Sequence, residues 1–297
     1  MPPPAADAPC PEQAFNATAL KWHTCAWLLL PVLVFLAGWM HWYAALPLTL
    51  LTAAGLAPRK RKEPQTRDSL PAFPLFTRSS FLALAAFAAL MTLSGWGEWV
   101  NQHPDHIVRN ACLRELVASP WPVIFPDGNM LVYNTGFWLV PALAGKLAGL
   151  DAARVLVVLW GTWGLFLAWL WLCVFSGRRS LLLALLMAAF GSLLNFQCWL
   201  GLDLFRLHYF GTAEQIMCSA NASIPVLLFF IFLASGRMPL PWIPLLFAAT
   251  AFYSPLAALG GLPLAACQWY RQWRGVPPLR DVLLHPSFSA SVLLGVC

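Results

Sequence analysis

Long runs of apolar residues, separated by shorter polar segments, dominate the chain. The clearest runs cover residues 25–57, 80–96, 153–175, 181–200 and 239–270. A membrane-spanning helix needs about 20 predominantly apolar residues, whereas the strands of a membrane barrel alternate apolar and polar positions. The continuous runs therefore predict an all-α, polytopic transmembrane protein. We expect about eight membrane helices, together with an interfacial helix in a long first outer loop.

Two of these runs contain residues that interrupt helices. The run at 25–57 includes Pro31, His41 and Pro47, and its length favours two short helices in a hairpin over one long span. The run at 239–270 is broken at Ser254-Pro255, because the residue before a proline is driven out of the helical conformation. We therefore expect a second hairpin there.

Composition excludes the other broad classes of protein. Of the 297 residues, 60% are hydrophobic and 10% are charged, and the mean hydropathy is +0.67. A soluble domain carries about 25% charged residues, and a disordered chain lacks the sixteen tryptophans found here. The formal net charge of +6 is explained by basic residues in the loops that set the orientation of the chain in the membrane. We therefore expect the bilayer as a partner, and no nucleic acid.

Basic residues set the expected orientation. The densest cluster lies in the segment 58–79, which is therefore assigned to the cytoplasm as a basic loop, with outer loops at 97–152 and 201–223. Residues 131–148 are apolar, but we place them at the interface, because a crossing there would scatter basic residues over both sides. This topology leaves five of the eighteen basic residues outside, namely Arg109, Arg114, Lys146, Arg154 and Arg206.

The expected domain organisation is simple. Residues 1–24 form a polar, Pro/Ala-rich tail, and residues 25–297 form one transmembrane domain. The apolar run at 289–297 is too short to cross a core of about 30 Å. We therefore expect it to continue in a longer protein, of which this chain is a C-terminally truncated part.

Candidate chemistry concentrates in the first outer loop. Residues 105–116 predict a short amphipathic helix that begins after Pro104, with Asp105 and Arg109 one turn apart. We expect a polar stripe at the same spacing and an apolar side opposite it. The stripe comprises His106, Asn110 and Arg114, and the apolar side Ile107, Val108, Cys112 and Leu116.

These residues support two interpretations. The carboxylate could accept a proton from a hydroxyl group, and the arginines could bind a phosphate through paired N–H groups. Alternatively, the segment is an interfacial helix with solvated polar residues and an ion pair between Asp105 and Arg109. The chain has no Gly-rich phosphate loop and no paired-cysteine metal motif. We therefore expect no cofactor, and a divalent metal is not supported.

The segment 96–179 resembles the start of the GT-C glycosyltransferases, which are polytopic membrane enzymes. The pieces that carry the resemblance are Asp105, Trp121-Pro122, the stretch from Tyr133 to Lys146, Ala153-Arg154, Gly177-Arg178-Arg179 and the broken hairpin at 252–264. Many members have two adjacent acidic residues at the start of this loop, and His106 occupies the second position here.

The resemblance implies transfer of a sugar from a lipid-phosphate-linked donor on the outer face of the membrane. It implies Asp105 as the catalytic base, with Glu98 as a second candidate acid, and Arg109 and Arg114 as ligands of the donor phosphate. His106 and Asn110, together with Arg206 and His208 of the second outer loop, are further candidates for substrate binding.

Two other functions remain open from the sequence. One is a transporter or flippase for a lipid-linked substrate, and the other is a non-catalytic membrane scaffold. Transporters usually carry ionisable or broken positions in the middle of the membrane, whereas seven of the twelve acidic residues here lie in the outer loops and the spans have almost no charge, which favours surface chemistry over transport. For the glycosyltransferase, the expected location is a bacterial inner membrane, with the active face outside and a lipid-linked sugar donor as partner.

Overall fold

The computed structural model describes residues 14–15, 17–57, 73–74, 77–100, 102–190, 211–273 and 284–296. Regular structure in these ranges is helical, except for one antiparallel pair of two-residue strands, β1 (Ala14–Phe15) and β2 (Phe73–Pro74). The helices of the described ranges are α1 (Ala17–Trp39), α2 (Trp42–Leu56), α3 (Arg78–Leu93), α4 (Pro104–Ala118), α5 (Gly136–Ala148), α6 (Leu150–Ser176), α7 (Leu181–Ala189), α8 (Thr212–Ala234), α9 (Trp242–Tyr253), α10 (Pro255–Trp273) and α11 (Pro286–Val296).

Three helices are long and apolar enough to cross a membrane. They cover Thr18–Trp39 of α1, all of α6 and all of α8, and α2, α3, α5, α9 and α11 are shorter apolar helices. The expectation of an all-α fold is confirmed, and the three long helices are those of a helical membrane protein. The number of about eight membrane helices stays a prediction.

Both expected helix breaks are present. Helix α1 ends at Trp39 and α2 begins at Trp42, because His41 between them has an extended backbone with φ −62° and ψ 143°. Ser254 is also extended, which separates α9 from α10, where Pro255 is the first helical residue. The tail assigned to residues 1–24 is shorter than expected, because α1 already begins at Ala17.

The described part of the second outer loop is helical, because residues 212–223 form the first half of α8. The carboxylate of Glu214 accepts the backbone N–H of Gly211 at 2.9 Å and thereby caps the start of this helix. The helical path is interrupted at Ser219, where φ is −156° and ψ is 50°.

Helix α6 lies at the centre of the bundle and packs against α1, α3, α5 and α8. Aromatic residues join it to its neighbours: the Trp27 ring stacks on Trp160 and on Tyr253, with centroids 5.1 and 5.6 Å apart. The Trp27 indole N–H donates to the Trp160 carbonyl at 3.0 Å, and the Tyr253 hydroxyl donates to the Trp27 carbonyl at 2.9 Å. Polar atoms in an apolar interior need such partners, so these contacts fix how α1, α6 and α9 pack.

Helices α3 and α6 are antiparallel. At one end the Arg179 guanidinium, just beyond α6, contacts the hydroxyls of Thr77 and Ser80 at the start of α3. At the other end Glu98, just beyond α3, contacts Arg154 in the first turns of α6. The connection from 94 to 149 therefore begins and ends at the same end of the bundle. Within it α5 has 13 residues, which span about 20 Å, less than a bilayer core of about 30 Å.

Candidate functional site at one end of the bundle

A strained turn follows α3 and begins the site. Gly95, Gly97 and Glu98 all have positive φ, and Glu98, with φ 66°, is the only non-glycine residue with this conformation in the described ranges. A non-glycine residue in the left-handed region costs free energy, and such residues are often found at functional sites. The turn directs Trp96 into the protein interior, where it is 3% exposed, and places Glu98 beside α6.

Glu98 forms two ion pairs through one oxygen atom. Its Oε2 accepts from Nη2 of Arg114 at 2.5 Å and from Nη2 of Arg154 at 2.5 Å, and its side chain is only 9% exposed. Burial raises the pKa of Glu98, but the hydrogen bonds and charges of the two arginines outweigh this effect and hold the pKa below its ordinary value. A carboxylate in this state is a weak base, so the geometry does not favour Glu98 as the proton acceptor.

The ion pairs extend along α6. Arg154 also donates to Oδ1 of Asp151 at 2.8 Å, three residues earlier on the same helix. The sequence analysis did not assign a role to Arg154 or Asp151. The pair has a local signal, an acid in the first turn of a helix followed by a base at i+3, but the contact of Arg154 with Glu98 bridges 56 residues.

Helix α4 forms the opposite wall of the site and begins as the sequence predicts. Pro104 is its first residue, and the His103 Nδ1 atom accepts the backbone N–H of Asp105 at 3.3 Å. The Asp105 side chain is 51% exposed; its Oδ2 lies 3.6 Å from His103 Nδ1 and 3.7 Å from Arg109 Nη2. The expected one-turn pair of Asp105 and Arg109 is therefore present, and the carboxylate remains open to solvent.

The buried face of α4 is not the expected one. Ile107 and Val108 were expected on the apolar side, but they are exposed, whereas His106 and Arg109 are buried. The reason is specific contacts: the His106 Nε2 atom lies 2.7 Å from the Met217 carbonyl oxygen of α8, which satisfies the imidazole inside the protein. Cys112 and Leu116 are buried as expected.

Arg109 is the most unusual charged group of the site. Its guanidinium carbon lies 5.9 Å from the centre of the Trp96 ring, and Nη2 faces Asp105. Its Nε and Nη1 atoms are buried and have no hydrogen-bond partner among the described residues. Buried N–H groups of a cation are costly when unpaired, so Arg109 has unused capacity to bind an anion.

The remaining predicted residues take different positions. Asn110 donates to the side-chain oxygen of Gln102 at 2.7 Å, which ties α4 to the preceding segment. Arg114 is half exposed and pairs with Glu98, so its ion pair is separate from the pair of Asp105 and Arg109. Arg206 and His208 lie outside the described residues.

The start of α8 completes the site. The Trp96 indole N–H donates to the Ile216 carbonyl at 2.8 Å, and Cys218 Sγ lies 4.0 Å from His103 Nε2. His103, Asp105 and Cys218 thus offer three ligand atoms within 4.8 Å of one another. Sequence analysis missed this cluster, because 115 residues separate His103 from Cys218.

Fold and site together define a helical membrane protein with a charged cluster at one end of its bundle. Comparison of the chain with protein-family models, with curated proteins and with solved structures gives no match.

Proposed function

We propose that the protein is an integral membrane glycosyltransferase that transfers a sugar from a lipid-phosphate-linked donor on the outer face of the membrane. The observation that carries the proposal is the pairing of Asp105, which is half exposed, with Arg109, which is buried and has two nitrogen atoms without a partner among the described residues. Proton transfer and phosphate binding are the two tasks that such a reaction requires.

Asp105 suits the role of the base better than Glu98 does. Its Oδ2 lies 3.6 Å from His103 Nδ1 and 3.7 Å from Arg109 Nη2, longer than hydrogen bonds, whereas Glu98 has two contacts with arginines at 2.5 Å. In the proposed reaction Asp105 takes the proton of the acceptor hydroxyl, and the hydroxyl oxygen attacks the anomeric carbon of the sugar. The bond from that carbon to the phosphate oxygen breaks, and the phosphate leaves with its lipid.

Arg109 suits the role of the phosphate ligand. A guanidinium presents five N–H donors in a planar array, and Nε and Nη1 of Arg109 are the two left without a partner in the described residues. The Trp96 ring and the rest of the buried face hold the side chain in place. The growing negative charge on the departing phosphate would be stabilised there by the guanidinium.

The surroundings suit a lipid substrate. Ile107 and Val108, next to Asp105 on α4, are exposed apolar residues, and Val132 in the same connection is 90% exposed. Apolar side chains at a membrane surface contact lipid readily. A donor with a long hydrocarbon chain could therefore approach Asp105 and Arg109 from the bilayer.

The test is the change Asp105→Asn. Asparagine keeps the size of the side chain but cannot take up a proton, so we expect transfer from polyprenyl-phosphate sugars by the purified protein in liposomes to fall by about 10²–10⁴-fold. The matched control is Asp127→Asn, which alters an exposed aspartate of the same connection; among the described residues its side chain bonds within its own turn, to Asn129. We expect the control to retain the parent rate.

A second variant tests the phosphate contact. Arg109→Lys keeps the charge but loses the planar donor array, so we expect the KM for the donor to rise. Parent-like transfer by Asp105→Asn in folded protein would contradict the proposed base. Movement of the lipid-linked sugar across the bilayer by the parent protein, with no transfer to any acceptor, would favour the flippase instead.

A further inference from the structure

The geometry points to a binding site for a zinc-class divalent cation formed by His103, Asp105 and Cys218. The cluster joins the residue that caps α4, the first turn of α4 and the first half of α8. Its ligand atoms lie within 4.8 Å of one another, and His103 Nε2 and Cys218 Sγ are 4.0 Å apart. We infer that this cluster takes up one cation between the two helices.

The distances are close to those of a tetrahedral site. Zinc binds sulfur at about 2.3 Å and imidazole nitrogen at about 2.0–2.1 Å, which places the two ligand atoms roughly 3.6 Å apart at a tetrahedral angle. The observed separation of 4.0 Å needs a small side-chain rotation. Nε2 binds a cation only in the tautomer that carries the proton on Nδ1, so the 3.3 Å contact of Nδ1 with the Asp105 backbone N–H is given up on binding. Three protein ligands leave the fourth position for water or for an oxygen atom of a substrate, as in catalytic zinc sites.

The chemistry of the ligands selects the class of cation. A thiolate and an imidazole suit zinc and neighbouring transition metals, whereas calcium and magnesium prefer sites built of oxygen atoms alone. On binding, the Cys218 thiol gives its proton to water and becomes a thiolate. The thiolate and the Asp105 carboxylate then balance the charge of the cation. A carboxylate has two oxygen atoms, so Asp105 can bind the cation and still face Arg109.

The surrounding structure already holds the ligands in place. Three consecutive residues of α8 contact the opposite wall: the Ile216 carbonyl accepts from Trp96, the Met217 carbonyl lies 2.7 Å from His106 Nε2, and Cys218 faces His103. Ligands that are positioned by rigid elements give tighter metal sites than ligands on loops. Cys218 is a free thiol among the described residues, and the kink at Ser219 follows it directly.

Metal binding can be measured without donor or acceptor, so its test does not depend on sugar transfer. Where the proposed transferase activity also holds, the two are linked, because the cation and the acceptor proton compete for Asp105. Bound zinc is then expected to slow the transfer, and a chelator to restore it. A protein that binds zinc but transfers no sugar would support the metal site and contradict the proposed function, so the two failures are distinguishable.

The experiment is a titration of the purified full chain after treatment with a chelator and a phosphine reductant. We expect one Zn²⁺ per chain, and with Co²⁺ the charge-transfer band of a cobalt–thiolate bond together with the visible bands of a tetrahedral site. Cys218→Ser and His103→Gln should each weaken binding by more than about tenfold. Cys267→Ser, which removes an exposed thiol of α10, is the matched control and should bind as the parent does.

A second measurement avoids the variants. In the parent protein, Zn²⁺ should protect Cys218 from maleimide alkylation, as read by peptide mass spectrometry, and should leave Cys267 reactive. The proposal is overturned if Co²⁺ gives no thiolate band, if Cys218→Ser binds with the parent affinity, or if Zn²⁺ does not protect Cys218.

Discussion

At the scale of single residues, Glu98 has two features that destabilise the fold and two ion pairs that stabilise it. It adopts a positive φ, which is unfavourable for any residue with a side chain, and it buries a carboxylate. Arg114 and Arg154 offset both costs by pairing with that carboxylate from two different helices. Glu98 therefore acts as a clamp between α4 and α6.

The clamp predicts the effect of Glu98→Gln. The change removes the charge but keeps the size, and it leaves Arg154 without a charged partner on its buried side. We expect a loss of about 1.5–3 kcal/mol in the free energy of unfolding, the range for hydrogen bonds to charged groups. Thermal unfolding in detergent would measure it. Asp151→Asn, on the exposed side of Arg154, is the control and should change little, because exposed pairs contribute little.

The same clamp should appear in the acid dependence of stability. The pKa of Glu98 is lowered in the folded protein, so its contribution is fully present above the pKa of an unfolded glutamate, about 4.3. The contribution is lost as the pH falls below that value towards the folded pKa. Below about pH 4.3, the free energy of unfolding of the parent should thus fall more steeply with falling pH than that of Glu98→Gln. Equal slopes for the two proteins would show that the carboxylate is not held ionised.

At the scale of the elements, α6 owes its central position to two glycines that allow close approach. A Cβ atom at Gly164 would lie 2.6 Å from Ile224 and 2.7 Å from the rigid ring of Trp27. A Cβ atom at Gly161 would meet mainly the flexible end of Met91, at 2.3 Å. The two positions are one turn apart on the same helix, but their neighbours differ in how easily they can move.

This difference predicts a graded response to alanine. Gly164→Ala should cost about 1–3 kcal/mol, because overpacking against a ring fixed by its own hydrogen bond forces the helices apart. Gly161→Ala should cost less, because Met91 can adopt another rotamer. Thermal stability of the two variants in the same detergent gives the comparison. An equal or larger loss for Gly161→Ala would mean that the bundle packs differently around α6.

Helix α4 shows what a local pattern can and cannot predict. Its start after Pro104 and the pair of Asp105 and Arg109 followed from the sequence, since both depend on neighbouring residues. The face that it buries did not follow. Ile107 is exposed and His106 is buried because α8 supplies a carbonyl for the imidazole, a contact with a residue 111 positions away.

At the scale of the whole molecule, the antiparallel arrangement of α3 and α6 relates the position of the proposed site to the orientation of the chain in the membrane. The proposed site and the first turns of α6 lie at one end of this pair, and Arg179 lies at the other. If both helices cross the bilayer, Asp105 and Arg179 face opposite compartments. The distribution of basic residues predicts that Arg178 and Arg179 face the cytoplasm and that Asp105 lies outside.

Accessibility to a membrane-impermeant thiol reagent tests this orientation in intact cells. Val132→Cys and Ser176→Cys each introduce a thiol at an exposed position, beyond α4 and at the end of α6 respectively. We expect Val132→Cys to react from outside and Ser176→Cys to react only after the membrane is opened. The parent chain, labelled in parallel, corrects for its own cysteines. Reaction of both variants from the outside would contradict the proposed topology.

The sequence by itself determined the class of protein and the places where helices break. Composition and continuous apolar runs require helices, and the Ser254-Pro255 step interrupts them through a local backbone preference, whereas Pro31 and Pro47 lie inside α1 and α2. The later part of the second outer loop, residues 212–223, is helical. Their polar side chains lie at a helix start that is capped by Glu214 and packed against the site.

Only the tertiary structure decided which charged residues meet. It paired Glu98 with Arg154, left Nε and Nη1 of the buried Arg109 unpartnered within the described residues, and brought Cys218 to His103. Each of these facts depends on how α3, α4, α6 and α8 pack at one end of the bundle. Hydropathy and helical period depend on residues a few positions apart, so they predict where a helix lies, whereas the partners of its side chains are set by segments that come together only when the chain has folded.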